Sequence, residues 1–217
     1  MPARTANVDR EKALKLVPVP PHVLSRLDRF VELLLQWQKR MNLIAPSTIP
    51  EIWTRHVADS LQLVSLAPSA RVWADLGSGA GFPGIVVACV FAEEAGARVH
   101  LVESNAKKAA FLREAGRVLD IPATIHGARV EDFVKSFHVR VDVVTARALA
   151  PLAKLLELAA PLLKTGAKGL FPKGQDVEGE LTEAAKYWSI DSKLVPSKTS
   201  PQGKIIIVER ATRRGRD

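Results

Sequence analysis

Apolar residues recur every three or four positions through the first third of the chain, then gather into short runs separated by glycine and polar turns. Residues 1–19 read as a short helix stopped by Pro18, Pro20 and Pro21. From His22 the series Val23, Leu27, Phe30, Leu34, Trp37 and Met41, flanked by Leu24, Val31 and Leu35, predicts an amphipathic helix with a broad buried face, ending near Trp37–Leu43. Pro46 and Pro50 bracket a turn, and a further helix is expected from about Glu51 to Leu66. Trp53, Val57, Leu61 and Val64 cover one of its faces, while His56, Asp59 and Ser60 share another.

Beyond residue 70 the period changes. Strands are predicted at Val72–Leu76, Arg98–Glu103, Ala123–His126, Val141–Ala146 and Lys168–Pro172. Between them lie helices at Asn105–Leu119, at Leu149–Leu163 with Gly166 as its cap, and at Asp176–Trp188. Two late strands, near Lys193–Val195 and Lys204–Arg210, flank a turn at Pro201-Gln202-Gly203. This alternation predicts an α/β fold: a mostly parallel sheet with helices on both faces and ligands at the C-terminal strand ends. An antiparallel C-terminal hairpin and an N-terminal helical cap complete it. The expected division is a cap over residues 1–70, a core over 71–210 and a basic tail over 211–217, with cap and core forming one unit.

The stretch from Val72 to Gly84, V-W-A-D-L-G-S-G-A-G-F-P-G, is the centre of the pattern. An apolar run enters it, and another, Ile85–Ala92, leaves it, as expected for a strand, a tight turn and a helix start. Glycine permits positive φ and close approach of a ligand to the backbone, and a helix beginning just after the turn would offer free N–H groups. The loop reads as a cofactor cradle. The dinucleotide fingerprint G-x-G-x-x-G fits Gly77 and Gly79 but puts Phe82 at its third glycine. The spacing here is Asp75, Gly77, Gly79, Gly81, which resembles motif I of the class I S-adenosylmethionine-dependent methyltransferases. Glu103, at the end of the following strand, suits a ribose diol in either cofactor class; alone it would equally be an exposed strand-end charge. Glu131 and Asp132 are placed to frame an adenine edge.

Composition narrows the partner. The chain of 217 residues is 47% hydrophobic, enough for one sizeable core, and its basic residues outnumber its acidic ones, 31 to 23. Half of the net charge of +8 falls from Pro196 onward, where Lys198, Lys204, Arg210, Arg213, Arg214 and Arg216 stand against Glu209 and Asp217. Such a balance suits a polyanion, and a solvated tail is the plainer alternative. No apolar run is long enough to span a membrane, and the N-terminus lacks the apolar heart of a signal peptide. The single cysteine, Cys89, lies in an apolar run and supports neither a disulfide-linked partner nor a metal site. A soluble, cytoplasmic, monomeric protein without metal is expected.

Several local motifs coincide in order: W-Q-K-R-M-N-L at Trp37–Leu43, R-H-V-A-D-S at Arg55–Ser60, the glycine loop through Gly84, Arg129–Glu131, Ala146-Arg147-Ala148 and Lys173-Gly174. Together they resemble the bacterial 16S rRNA guanine-N7 methyltransferase family, RsmG, also called glucose-inhibited division protein B, over roughly residues 20–210. The resemblance implies a class I, Rossmann-like methyltransferase fold. It also implies methyl transfer from S-adenosyl-L-methionine, leaving S-adenosyl-L-homocysteine, to N7 of a guanine in the 530 loop of 16S rRNA or the small ribosomal subunit. By position it assigns Gly77, Phe82, Val130, Glu131 and Arg147 to the cofactor.

The residues agree with that acceptor. C5 methylation of a pyrimidine needs a cysteine nucleophile, and Cys89 is expected in a buried helix. Exocyclic-amine methylation typically uses an N/D-P-P-Y/F motif, where this chain has Thr145-Ala146-Arg147-Ala148-Leu149. Guanine N7 has an in-plane lone pair and no proton to lose, so positioning is required and a general base is not. Arg147 and Lys173, at strand ends, are the candidate positioning groups for phosphate or the guanine O6 edge, and Lys173 is as readily a structural lysine. Lys107 and Lys108, with Arg213, Arg214 and Arg216, are the candidate RNA contacts. The competing classes are an NAD(P)-linked oxidoreductase, a methyltransferase for another RNA or a small molecule, and a non-catalytic RNA-binding protein.

Overall fold

The computed structural model describes residues 3–215, so Arg216 lies outside the described residues. Helices α1 (Ala3–Leu16) and α2 (Pro21–Gln38) open the chain, followed by a 3-10 turn (Pro46–Glu51), a π-helical segment (Trp53–Ala58) and α3 (Asp59–Val64). The core then runs β1 (Val72–Leu76), α4 (Gly84–Val90), β2 (Arg98–Val102), α5 (Ala106–Leu119), β3 (Ala123–His126), α6 (Val130–Ser136), β4 (Val143–Thr145), α7 (Leu152–Lys164) and β5 (Lys168–Lys173). It closes with α8 (Val177–Ala185), β6 (Trp188–Pro196) and β7 (Lys204–Arg213). Among the described residues no helix is long and apolar enough to cross a membrane.

The sheet has seven strands in the order β3-β2-β1-β4-β5-β7-β6. The first five are parallel, while β7 runs antiparallel to both β5 and β6. Strand order reverses between β1 and β4, which opens a crevice at their C-terminal ends. Alternation along β1 feeds two cores: Trp73 packs with α2, α4 and α5, and Ala74 and Leu76 pack with α7. The first core also takes Leu27, Phe30, Leu34, Trp53, Val57 and Leu61 from the N-terminal helices.

The structure departs from the sequence expectation at several places, among them β6, which runs Trp188–Pro196 where a strand was expected only near Lys193–Val195. The helix expected from Glu51 to Leu66 is built from three helical types. At its start the α1 carboxylate of Asp9 accepts the N–H groups of Trp53 and Thr54 at 2.8 and 3.2 Å, and also the Thr54 hydroxyl. Those free helix-end donors are thus satisfied by a distant residue. A short helix, α6, occupies the stretch read only as following the third strand. Residues 149–151 precede α7 as loop. The helix expected to reach Trp188 stops at Ala185, because Trp188 already pairs with Arg213 in the sheet. Finally, β7 continues to Arg213, past the expected tail boundary at residue 210.

Candidate active site

The glycine loop leaves β1 with Gly77 at φ +71° and Gly79 at φ +56°, both in the left-handed region. Ser78 pins it, donating its N–H to the Val102 carbonyl at 2.9 Å and its hydroxyl to the Asp75 carbonyl at 2.9 Å. Glu103, only 8% exposed, accepts Gly79 N–H at 2.9 Å through Oε2 and Asn105 N–H at 2.7 Å through Oε1. A carboxylate offers about four acceptor sites. Two therefore remain for a diol.

Asp75 has a different place from the one its motif suggests. It is buried beneath the loop, with Oδ2 accepting Gly84 N–H at 3.1 Å and Oδ1 accepting the Thr145 hydroxyl at 3.1 Å. Burial pushes its pKa up to about 6, against the pull of those hydrogen bonds. A Cβ on Gly84 would come within 2.8 Å of Asp75 Oδ2 and of Leu101, so this junction is tightly closed. The first N–H of α4 is consequently spent on Asp75 and is not offered to a ligand. Gly77 and Gly79 are the glycines of the loop that line the neighbouring cavity.

A cavity of about 310 Å³ lies against this loop, lined by Gly77, Gly79, Glu103, Lys108, Val130 and Arg147, with Ala148 and Leu149. Five of the proposed cofactor residues thus converge there, together with Lys108, which was expected on the RNA path. Gly81, Phe82 and Glu131 do not line it. Gly81 packs beside Ile85 and Leu112, and Glu131 points outward from the first turn of α6. Phe82 is 3% exposed, edge-on to Phe30 and stacked with His56 at a centroid distance of 5.0 Å. It joins the loop to the N-terminal helices.

A second cavity, about 970 Å³, adjoins the first; Arg147, Ala148 and Leu149 line both. Arg147 is therefore the group at the junction. Its Nη2 donates to His56 Nδ1 at 2.8 Å and its Nη1 to the Arg55 carbonyl at 3.2 Å. Nη1 also stands 3.6 Å from Asp59 Oδ2, and the guanidinium lies 5.3 Å from the centre of the Phe82 ring. Burial, reinforced by Arg147 and Arg55, holds His56 down at a pKa of about 3. Neutral His56 thus accepts from Arg147 at Nδ1 and donates from Nε2 to Thr48 Oγ1 at 2.9 Å. The polar face formed by His56 and Asp59 turns toward the junction.

Lys173 lines the larger cavity, but its side chain is only 10% exposed. Its Nζ donates to Glu180 Oε2 at 2.7 Å and to the Ala150 carbonyl at 2.9 Å, and the same Glu180 oxygen accepts Leu152 N–H at 2.7 Å. Of the two readings left open by the sequence, this geometry supports the structural lysine. Lys107 is exposed on the first turn of α5, whose amides are capped by Asn105. Cys89 is fully buried in α4, and its thiol pKa is pushed up to about 12.

Arg213 and Arg214 lie away from the two cavities. At the cofactor end of the sheet Lys173 pairs with Lys204, the first residue of β7. Arg213, at the other end of β7, is about nine residues along, roughly 30 Å at the strand rise. Arg214 follows it and donates to the Trp188 carbonyl at 3.3 Å. Both therefore sit at the opposite end of the sheet from the glycine loop, and Arg213 is sheet and not flexible tail. Sequence reasoning missed Ala148 and Leu149, which carry no chemical signal of their own. Their only mark was adjacency to Arg147.

The sheet order, the glycine loop at its crevice and the strand-end carboxylate define a class I S-adenosylmethionine-dependent methyltransferase. An O-methyltransferase from Bacillus cereus, solved with S-adenosylhomocysteine, has the same fold, with a TM-score of 0.60 at 17% identity over 97% of this chain and 100% of that one. The chain belongs to the rRNA small subunit methyltransferase G family, whose model matches residues 23–206. It is 58% identical to ribosomal RNA small subunit methyltransferase G of Bradyrhizobium sp. strain BTAi1, over 95% of this chain and 93% of that protein. The Rhodopseudomonas palustris strain BisB5 protein of the same name is 56% identical, over 95% and 89%.

Proposed function

We propose that this protein methylates N7 of a guanine in the 530 loop of 16S rRNA, acting in the cytoplasm as a single chain on the rRNA or the small subunit. The observation that carries the reading is the junction at Arg147, a residue that lines both a cofactor-sized cavity and the larger cleft beside it. The smaller cavity fits S-adenosylmethionine: it has a carboxylate with free acceptor sites and a glycine cradle that a Cβ would fill. When bound there, the cofactor supplies an electrophilic methyl group on its sulfonium.

The chain's own residues bind and orient. Glu103 would hold the ribose diol, Val130 would pack on the adenine, and Gly77 and Gly79 would let backbone approach the ligand. Arg147, fixed by His56, the Arg55 carbonyl and Asp59, would set the approach of the base. No residue need remove a proton, since N7 attacks through its own lone pair. Holding the two partners in line is what the site contributes. The buried thiol of Cys89 does not reach the cleft, which agrees with an acceptor needing no protein nucleophile.

Lys107 and Lys108 are proposed to guide the RNA backbone at the cofactor mouth. Arg213 and Arg214 are proposed as distant phosphate contacts, which only a large substrate would reach. Methyl-labelled S-adenosylmethionine tests the reading: label should enter small-subunit RNA and not large-subunit RNA. Equal labelling of both, or calorimetric binding of NAD without S-adenosylhomocysteine, would overturn it.

A further inference from the structure

Asp59 is a carboxylate with two occupied sides. Oδ1 accepts the Thr199 hydroxyl at 2.8 Å and Gln62 Nε2 at 2.8 Å. Oδ2 faces Arg147 Nη1 at 3.6 Å. Thr199 belongs to the loop between β6 and β7, and that loop walls the larger cavity through Ser197, Thr199, Ser200, Pro201 and Gly203. Gln62 holds the same loop, accepting Lys198 N–H at 2.8 Å and donating to Ser197 Oγ at 3.2 Å. A segment from near the C-terminus is thereby clamped on α3, directly beside the group that stands between the two cavities.

A clamp for the loop alone would not need a charge. Thr199 and Gln62 both donate to Asp59, so a neutral amide oxygen would serve them. The Asp59 side chain is 17% exposed, and burial raises its pKa while Arg147 opposes that rise. Of the groups around Asp59, Arg147 is the one that calls for a carboxylate. The carboxylate is also rigid and planar, so displacing Oδ1 toward or away from the loop moves Oδ2 against the guanidinium.

We propose that Asp59 is a positioning residue that couples the cleft loop Ser197–Gly203 to Arg147, so that RNA seated on the loop sets the guanidinium at the cavity junction. This rests on the RNA reading of the larger cleft. It assigns the loop a role in the reaction beyond shape, and it explains why a hydroxyl-rich turn carrying Lys198 is tied to a residue beside the cofactor cavity.

Two substitutions separate the arms. Thr199→Val removes the loop-side hydroxyl and leaves the pair with Arg147. Asp59→Asn keeps an acceptor for the loop and removes the charge facing Arg147. S-adenosylhomocysteine affinity by calorimetry, melting temperature, and the single-turnover rate of methyl transfer at saturating RNA and cofactor are measured for each variant. Both variants should lower cofactor affinity and single-turnover rate by about twofold to tenfold, although Thr199 does not line the cofactor cavity. The double variant should be no worse than Asp59→Asn alone, and Thr199→Ser should restore the parent values. If Thr199→Val lowers only the melting temperature, or if the two effects multiply independently, the loop is a structural clamp and the proposal fails. A parent enzyme that binds S-adenosylhomocysteine yet labels no small-subunit RNA would instead defeat the substrate reading, and the affinity cycle would still decide the coupling.

Discussion

Replacing Glu103 with Ala tests the cofactor site most sharply, because that carboxylate serves the loop and, in this account, the ligand. In the structure it accepts two backbone N–H groups, at 2.9 and 2.7 Å, and is almost fully buried. Hydrogen bonds to a charged group contribute about 1.5–3 kcal/mol each. Gly79 is half-buried and Asn105 exposed, so water replaces part of what is lost. The low end applies, about 2–3 kcal/mol in all for the two bonds. In a domain of this size that lowers the melting temperature by about 4–12 °C. Binding loses a further set of contacts: removal of the diol's acceptor should weaken S-adenosylhomocysteine by about tenfold to a hundredfold. Calorimetry well below the variant's melting temperature separates the two effects. Glu103→Gln, which keeps one acceptor oxygen, should fall between parent and Ala in both. An affinity within about twofold of the parent, alongside the expected loss of stability, would refute the diol role.

Other outcomes follow from the same geometry. Ala at Gly77 or Gly79 should destabilise by about 1–2 kcal/mol for its left-handed backbone. Gly77→Ala should also weaken cofactor binding the more, because its Cβ would lie 2.6 Å from Leu149 Cδ1 whereas that of Gly79 meets only the Gly77 carbonyl at 3.8 Å; equal affinities in calorimetry would contradict this. Acid should destabilise the protein: His56 and His100, held near 3 and 4 by burial, take up protons more readily when unfolded, so stability falls as pH drops below about 6.5. Asp75 works the other way, its folded pKa of about 6 lying above the ordinary carboxylate value of 3.8, so Asp75→Asn should steepen the decline of melting temperature between pH 6 and 4. Lys173→Ala should lower stability by about 2–3 kcal/mol by leaving Glu180 without its cation, and an unchanged melting temperature with a raised RNA KM would instead make Lys173 a phosphate contact. Replacing Lys107 and Lys108 should flatten the log–log salt dependence of RNA binding by about 0.7 per contact. Replacing the arginines at 213, 214 and 216 should leave that slope unchanged on a short oligonucleotide and flatten it only on whole subunits.

The parallel core is legible because its central strands β1, β2 and β4 are largely buried, so they appear as short stretches rich in Val, Leu and Trp. The glycine loop is legible for a related reason, since positive φ at Gly77 and Gly79 leaves a mark on residue type. Position along the chain does not reveal which side of a strand a residue occupies. Asp75 shares its parity with Trp73 and so lies under the loop, which motif spacing alone does not show. The π-helical segment depends on Asp9, more than forty residues away, and the cluster of Arg147 with His56 depends on contacts about ninety residues apart. Neither leaves a local pattern. Trp188 closes an apolar series that suits a helix, and only its pairing with Arg213 makes it strand. The position of Arg213 and Arg214 follows from the antiparallel direction of β7, which fixes the end of the sheet where they emerge.

The chemical identity of the transferred methyl bears most directly on the central claim. Small-subunit RNA methylated by this protein is treated with borohydride and then aniline, which cleaves the strand at a cationic N7-methylguanine, and the break is mapped by primer extension. A new cleavage is expected at one guanine in the 530 loop, appearing only when S-adenosylmethionine is supplied. Methyl label retained in RNA that resists this cleavage would contradict it.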